Sequence, residues 1–215
     1  MTQDRQQAVV AWLDYRVSAI TSALIVLMQM NEWAETPPSM QIRFDHVLVA
    51  QGSATGYTNP VLEAGILHGR AVLEFIGLRE GSEEDPQQQG AKATSRRKVA
   101  NVTRRRNDDA CIEDIEGLSM PSVADALGNH DGLSAERVER GFAHMLYLAN
   151  KGLAHMTHGF DPESEGDDIR MLCDAFSAII ALANRHVYTP LGIEPGIFVS
   201  VEARQTSACA PHAAA

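Results

Sequence analysis

The chain predicts an all-α fold, an up-and-down bundle of four to five main helices, on three observations. Apolar residues recur at three- and four-residue steps over most of its 215 residues. The segments patterned in this way are longer than strands usually are, and proline, glycine or Asp-Pro breaks separate them. Only one stretch, 41–51, alternates as a strand would, and nothing else offers it a strand partner. An apolar content of 45% is ordinary for a globular protein, and the length suffices for one domain with a full core.

The first helix is expected over 5–34. Val9, Val10, Leu13, Val17, Ile20, Leu24, Leu27 and Met28 line one side, and Pro37-Pro38 stops it. In 41–51, Ile42, Phe44 and His46 suit a strand while Phe44, Val47, Leu48 and Gln51 suit a helix. A short helix is the expectation, followed by a loop over 52–58. Asn59-Pro60 has the form of a cap with proline at the first helical position. The helix it opens, to about Leu78, is apolar nearly all round and belongs at the centre of the bundle. From 79 to 107 the periodicity is lost, and a flexible acidic and basic insertion at 80–107 is expected. A short helix after Asp108-Asp109 and another at 121–127 lead to Ser134, which caps a helix over 134–158. The turn at Asp161-Pro162 precedes a last long helix over about 167–189. The domain spans 1–199, and 200–215 reads as a disordered tail.

Charge narrows the function. A net charge of −10 argues against a generic nucleic-acid binder, yet the charge is uneven. Lys92, Arg96, Arg97, Lys98, Arg104, Arg105 and Arg106 fall in one acid-free run, so the remainder is far more acidic than the total implies. That run lacks the interleaved aromatics that stack on bases. It can hold phosphate in a salt-dependent way, pack on an acidic neighbour, or stay in solvent. Cys111, Cys173 and Cys209 fit no metal spacing and read as free thiols of a reducing cytoplasm. The longest uncharged stretch, Val17 to Asn31, falls short of the ~20 apolar residues that span a bilayer, so no membrane is expected.

Two polar constellations stand out. On the 134–158 helix, Arg137, Arg140, His144, Tyr147, Lys151, His155 and His158 gather opposite the apolar stripe. The functional reading is an anion or phosphate-backbone surface with a titrating imidazole; the plain one is a solvated face. On the central helix, Glu63, Arg70 and Glu74 share one sector, either as an ion pair fixing helix register or as residues of a polar pocket. His68, His144, His155 and His158 invite a metal, but no inward Glu-x-x-His pair or zincin spacing is present, so none is expected. The Gly-Ser-Ala-Thr-Gly at 52–56 has neither a preceding strand nor a lysine to hold a nucleotide, and no cofactor is implied.

Three segments together carry a resemblance. Leu62-Glu63-Ala64-Gly65-Ile66-Leu67-His68-Gly69-Arg70-Ala71-Val72-Leu73-Glu74-Phe75, then Asp108-Asp109, then Asn150-Lys151-Gly152-Leu153-Ala154-His155-Met156-Thr157, resemble a group of uncharacterised bacterial helical proteins. More remotely, the pattern is similar to HEPN-type bundles, whose nuclease members carry Arg-x(4-6)-His on the last long helix. Asn150 to His155 has that spacing with asparagine in the arginine's place. The resemblance implies a homodimer with RNA or a partner protein as ligand. A metal-independent ribonuclease of this kind would use His155 as general acid or base. Arg70 and Lys151 would hold phosphate, Asn150 would orient it, and Glu63 would fix Arg70. Arg137, Arg140, His144, Arg96, Arg97, Lys98, Arg104, Arg105 and Arg106 would line the nucleic-acid surface. The other expectations are a non-catalytic dimerisation module with a buried polar network, and a metal-binding bundle enzyme.

Overall fold

The computed structural model describes residues 3–33, 36–83, 96–102, 110–128, 130, 132–152 and 165–195. Four helices build the core: α1 (Gln3–Met30), α2 (Thr55–Ile76), α4 (Ala135–Tyr147) and α5 (Glu165–Ala183). A 3₁₀ turn (Ile112–Asp114), a five-residue helix, α3 (Val123–Leu127), and a terminal turn, α6 (Thr189–Leu191), are also present among the described residues. The fold is mostly helical but not purely so. Two antiparallel hairpins, β1 (Ser39–Phe44) with β2 (Val47–Ser53) and β3 (Leu78–Glu83) with β4 (Arg96–Asn101), correct the all-α expectation.

The helices pack where the apolar period directs. Leu13, Val17, Ile20 and Leu27 of α1 meet α2 and α5, while Met28, expected inside, is exposed. By length and mean hydropathy alone, Gln6–Met30 of α1 could cross a membrane; a third of its most apolar stretch is buried within the fold. The central helix, α2, touches α1, α4, α5 and β3. Small residues set two of these approaches. A Cβ at Gly65 would collide with Ala23 of α1, and one at Gly141 of α4 would lie 2.8 Å from the Met171 carbonyl oxygen of α5. Only glycine lets these backbones come so close.

Both hairpins depart from the expected course for identifiable reasons. Residues 41–51 do have a strand partner, which is their own continuation. Asp45, at φ 51°, and His46 form a two-residue turn that brings Val47 opposite Phe44. The 52–58 loop is correspondingly short. The helix α2 begins at Thr55 rather than at Asn59, and Pro60 lies inside it, where it removes one ladder hydrogen bond near the start. Within 80–107, expected to be a flexible insertion, β3 and β4 pair with Glu83 opposite Arg96 and Glu80 opposite Val99. Acidic and basic stretches are thus the two arms of a hairpin, and Leu78 and Val99 enter the core. Residues 84–95, 103–109 and the expected tail at 200–215 lie outside the described residues.

Helix caps follow the sequence more closely. The Ser134 hydroxyl accepts from the Arg137 backbone N–H at 3.3 Å, and Ser122 does the same for Asp125 at 3.1 Å. Beyond Tyr147 the chain widens into a π turn, Leu148–Gly152, and α5 ends in a second one, Asn184–Tyr188. Such turns are uncommon and often sit at functional places. The first contains Asn150 and Lys151.

Candidate functional site

The central-helix trio is not a buried network. The Arg70 Nε donates to Glu74 Oε1 at 2.8 Å, one turn along the same helix, and both side chains are about two-fifths exposed. Glu63 is exposed two turns earlier, so its expected role of fixing Arg70 passes to Glu74. A pair of this type contributes roughly 0.3–0.5 kcal/mol.

The π turn explains Asn150. It packs against α2, and the Asn150 amide donates to Glu80 Oε2 of β3 at 2.8 Å. This ties the end of the α4 segment to the first strand of the second hairpin. Such a charge-assisted bond is stronger than a neutral one. The side chain of Lys151, and His155 and His158 entirely, lie outside the described residues. The expectation that His155 and Arg70 share a cleft therefore falls outside them too. So do Arg104, Arg105, Arg106, Asp108 and Asp109, together with the side chains of Arg96 and Arg97; Lys98 is half-buried on β4.

The cationic arc of α4 is partly a helix–helix seam. Arg137 reaches Asp174 of α5 with both ends of its fork, Nε to Oδ2 at 3.0 Å and Nη2 to Oδ1 at 2.8 Å. Asp174 is 9% exposed while the Arg137 side chain keeps 43% of its surface in water. Two turns along, His144 Nε2 lies 3.2 Å from Asp168 Oδ1. Gly141 sits between these pairs, where α4 and α5 touch backbone to backbone. Beside the seam a cleft of about 310 Å³ is lined by Arg137, Arg140, Asp167, Arg170, Met171 and Asp174, with Arg170 paired to Asp167 at 2.7 Å. Arg137 and His144, expected to face phosphate, thus face carboxylates of their own chain.

Sequence reasoning passed over the α1–α2 polar contact. The Arg16 guanidinium donates to His68 Nδ1 at 2.9 Å and lies 3.8 Å from the centre of the Trp12 ring; Tyr15 meets His68 edge-on at 5.2 Å. Burial, then the Arg16 charge, hold the His68 pKa below the ordinary histidine value. His68 is accordingly a neutral acceptor with its proton on Nε2. The available signal was Arg16 itself, a charge one helical face away from an otherwise apolar run. A second, partly buried polar cluster adjoins α3. Arg185 donates to the carbonyls of Asp125 at 3.3 Å and Gly128 at 3.1 Å, and His130 Nε2 lies 2.8 Å from the Ala126 carbonyl. Nearby, burial and then Arg185 lower the His186 pKa. Tyr188, fully buried, has its phenol pKa pushed far up by burial and by Asp14.

Among the described residues no three histidine, cysteine or carboxylate side chains come together as a metal set. Comparison with protein families, with curated proteins and with solved structures returned no match.

Proposed function

We propose that this chain is a non-catalytic helical interaction module of the cytoplasm that works by protein–protein contact, as a homodimer. One observation carries the reading: three of the residues expected to face phosphate lie against carboxylates of the same chain. Arg137 is held by Asp174, His144 lies beside Asp168, and Arg70 is held by Glu74. Asn150, expected to orient a phosphate, is bound to Glu80. A ligand phosphate would have to displace these carboxylates, against the repulsion of a chain at −10. Fixing helices in register is what such paired groups do well.

The test is a fluorescently labelled single-stranded RNA titrated with the full chain across a salt series, with the RNA then analysed for cleavage. The expected result is no cleavage, and binding no tighter than the roughly 10⁻⁴–10⁻⁶ M of non-specific contacts at physiological salt. Cleavage lost on His155→Ala, or tight binding that weakens steeply with salt, would replace this reading with the ribonuclease one.

A further inference from the structure

The first turns of α1 line a cleft of about 670 Å³, within the size range of sites for small ligands. Gln6, Val10, Ala11 and Asp14 face it at the spacing that places residues on one side of a helix. Leu191 and Ile193, in and just after α6, complete the lining with Glu116, which follows the 3₁₀ turn.

The chemistry of this cleft is one-sided. Its ionisable side chains are the carboxylates of Asp14 and Glu116, and no cation lines it among the described residues. Arg16, close to Asp14 along α1, is turned instead to His68 and Trp12. The Asp14 Oδ1 is buried and completes no hydrogen bond among the described residues. Tyr188, 1% exposed, brings its phenol near this carboxylate, and its oxygen also stays short of hydrogen-bond geometry. Burial, then Asp14, hold the proton on that phenol, so it is neutral and cannot balance the carboxylate. A buried carboxylate short of donors is costly, and a group that brings both positive charge and N–H offsets the cost.

We propose that this cleft binds an aliphatic amine or guanidine, its cation on Asp14 and its chain against Val10, Leu191 and Ile193. Glu116 adds attraction for the same charge. The walls select the body of the ligand. They are aliphatic, and Ile193 is 38% exposed, so a hydrocarbon chain would cover apolar surface that now meets water. Among the described residues no aromatic side chain lines the cleft. A quaternary ammonium, which ring faces recognise and which carries no N–H, is therefore a poor fit. A divalent metal is a poor fit as well, because two carboxylates against aliphatic walls fall short of its oxygen shell. Because the lining comes from both α1 and α6, occupancy would tie the first helix to the last.

Isothermal titration calorimetry of the full chain with hexylammonium at neutral pH tests this, beside hexyltrimethylammonium, hexanol and hexanoate. The expected result is saturable hexylammonium binding with a dissociation constant on the order of 0.1 mM. The quaternary cation and the alcohol should bind about tenfold more weakly, and the anion not at all. Asp14→Asn should weaken hexylammonium binding about tenfold. Since Asp14 adjoins the buried Tyr188, Ala11→Lys at an exposed helix position decides the matter should that variant fail to fold. It sets a fixed ammonium in the cleft and should abolish binding. Glu63→Gln, at an exposed acid of α2 outside the cleft, should bind as the wild type does. No saturable binding to the wild type, equal binding of the alcohol, equal loss in Glu63→Gln, or binding that survives Ala11→Lys or a folded Asp14→Asn would each overturn the proposal. The RNA titration reads a different ligand, so the outcome of one experiment does not decide the other.

Discussion

The α4–α5 seam and the β1–β2 hairpin are opposites in how their side chains are satisfied. In the seam, a charge that looks available on a helical wheel is bound across it: Arg137 of α4 by Asp174 of α5. In the hairpin, Phe44, Val47, Leu48 and Val49, side chains suited to a core, are left exposed. Residue type alone therefore misleads in both directions. A cation is a ligand site only if its partner is missing, and an apolar residue is core only if something covers it.

The largest effect that should separate the two regions comes from adding a side chain to a glycine. Gly141→Val should cost about 3 kcal/mol in denaturant unfolding, because its Cβ would press on the α5 backbone at Met171 and Ala175. Gly52→Ala, with nothing within 4 Å of the new atom, should stay within ~0.5 kcal/mol. Equal costs would erase the contrast between a packed seam and an open arm. A smaller effect comes from the seam's ion pair. Arg137→Ala should cost about 2 kcal/mol, since it leaves the buried Asp174 carboxylate without its donors. Asp174→Ala should cost less, because water reaches the half-exposed guanidinium. A reversed order would mean that the Asp174 carboxylate does not depend on Arg137 for its donors.

The smallest expected effect is on pH dependence. His68 and His186 have folded pKa values below the ordinary 6.5, so the unfolded chain binds their protons more readily. Their neutral burial costs nothing above pH ~6.5, where both states are unprotonated. Stability should fall as pH drops below that value and level off once it passes the folded pKa values. For His186, the neighbouring Arg185 and His130 reinforce this direction and Asp125 opposes it. Thermal melts between pH 8 and 5 should show the decline, and His68→Asn, which keeps an acceptor for Arg16, should flatten it. Melts that rise on acidification would show these histidines to be charged in the fold.

What the sequence made legible follows from the range of the interactions. The courses of α1 and α5, that of α4 as far as Tyr147, and the cap at Ser134 rest on contacts within a turn or two, and these were readable; residues 153–158 of the expected 134–158 helix lie outside the described residues. The hairpins were not. In 39–53 a two-residue turn through Asp45 and His46 is an unremarkable dipeptide by composition, so the strand's partner went unseen. In 78–101 the acidic and basic stretches were read as solvent-exposed because their complementarity appears only once they are laid side by side. The same holds for Arg137. Asp174 lies 37 residues away, and nothing local indicates that α5 turns that carboxylate toward α4. For the catalytic set, the sequence placed Glu63, Arg70 and Glu74 in one sector, and the role of fixing Arg70 was given to Glu63 although the partner is Glu74, one turn away.

In the first hairpin the register shifts between Ile42 and Arg43, which leaves Val49 as an extra residue, a bulge. A bulge bends and twists its strand as well as resetting which side chains fall together. Removing Val49 would let Ile42 still meet Ala50 in an ordinary ladder, so the side bearing Ile42, Phe44 and Val47 would keep its members, yet the projecting arm would straighten and aim elsewhere. Which side chains the arm presents and where it points are consequently governed by separate residues.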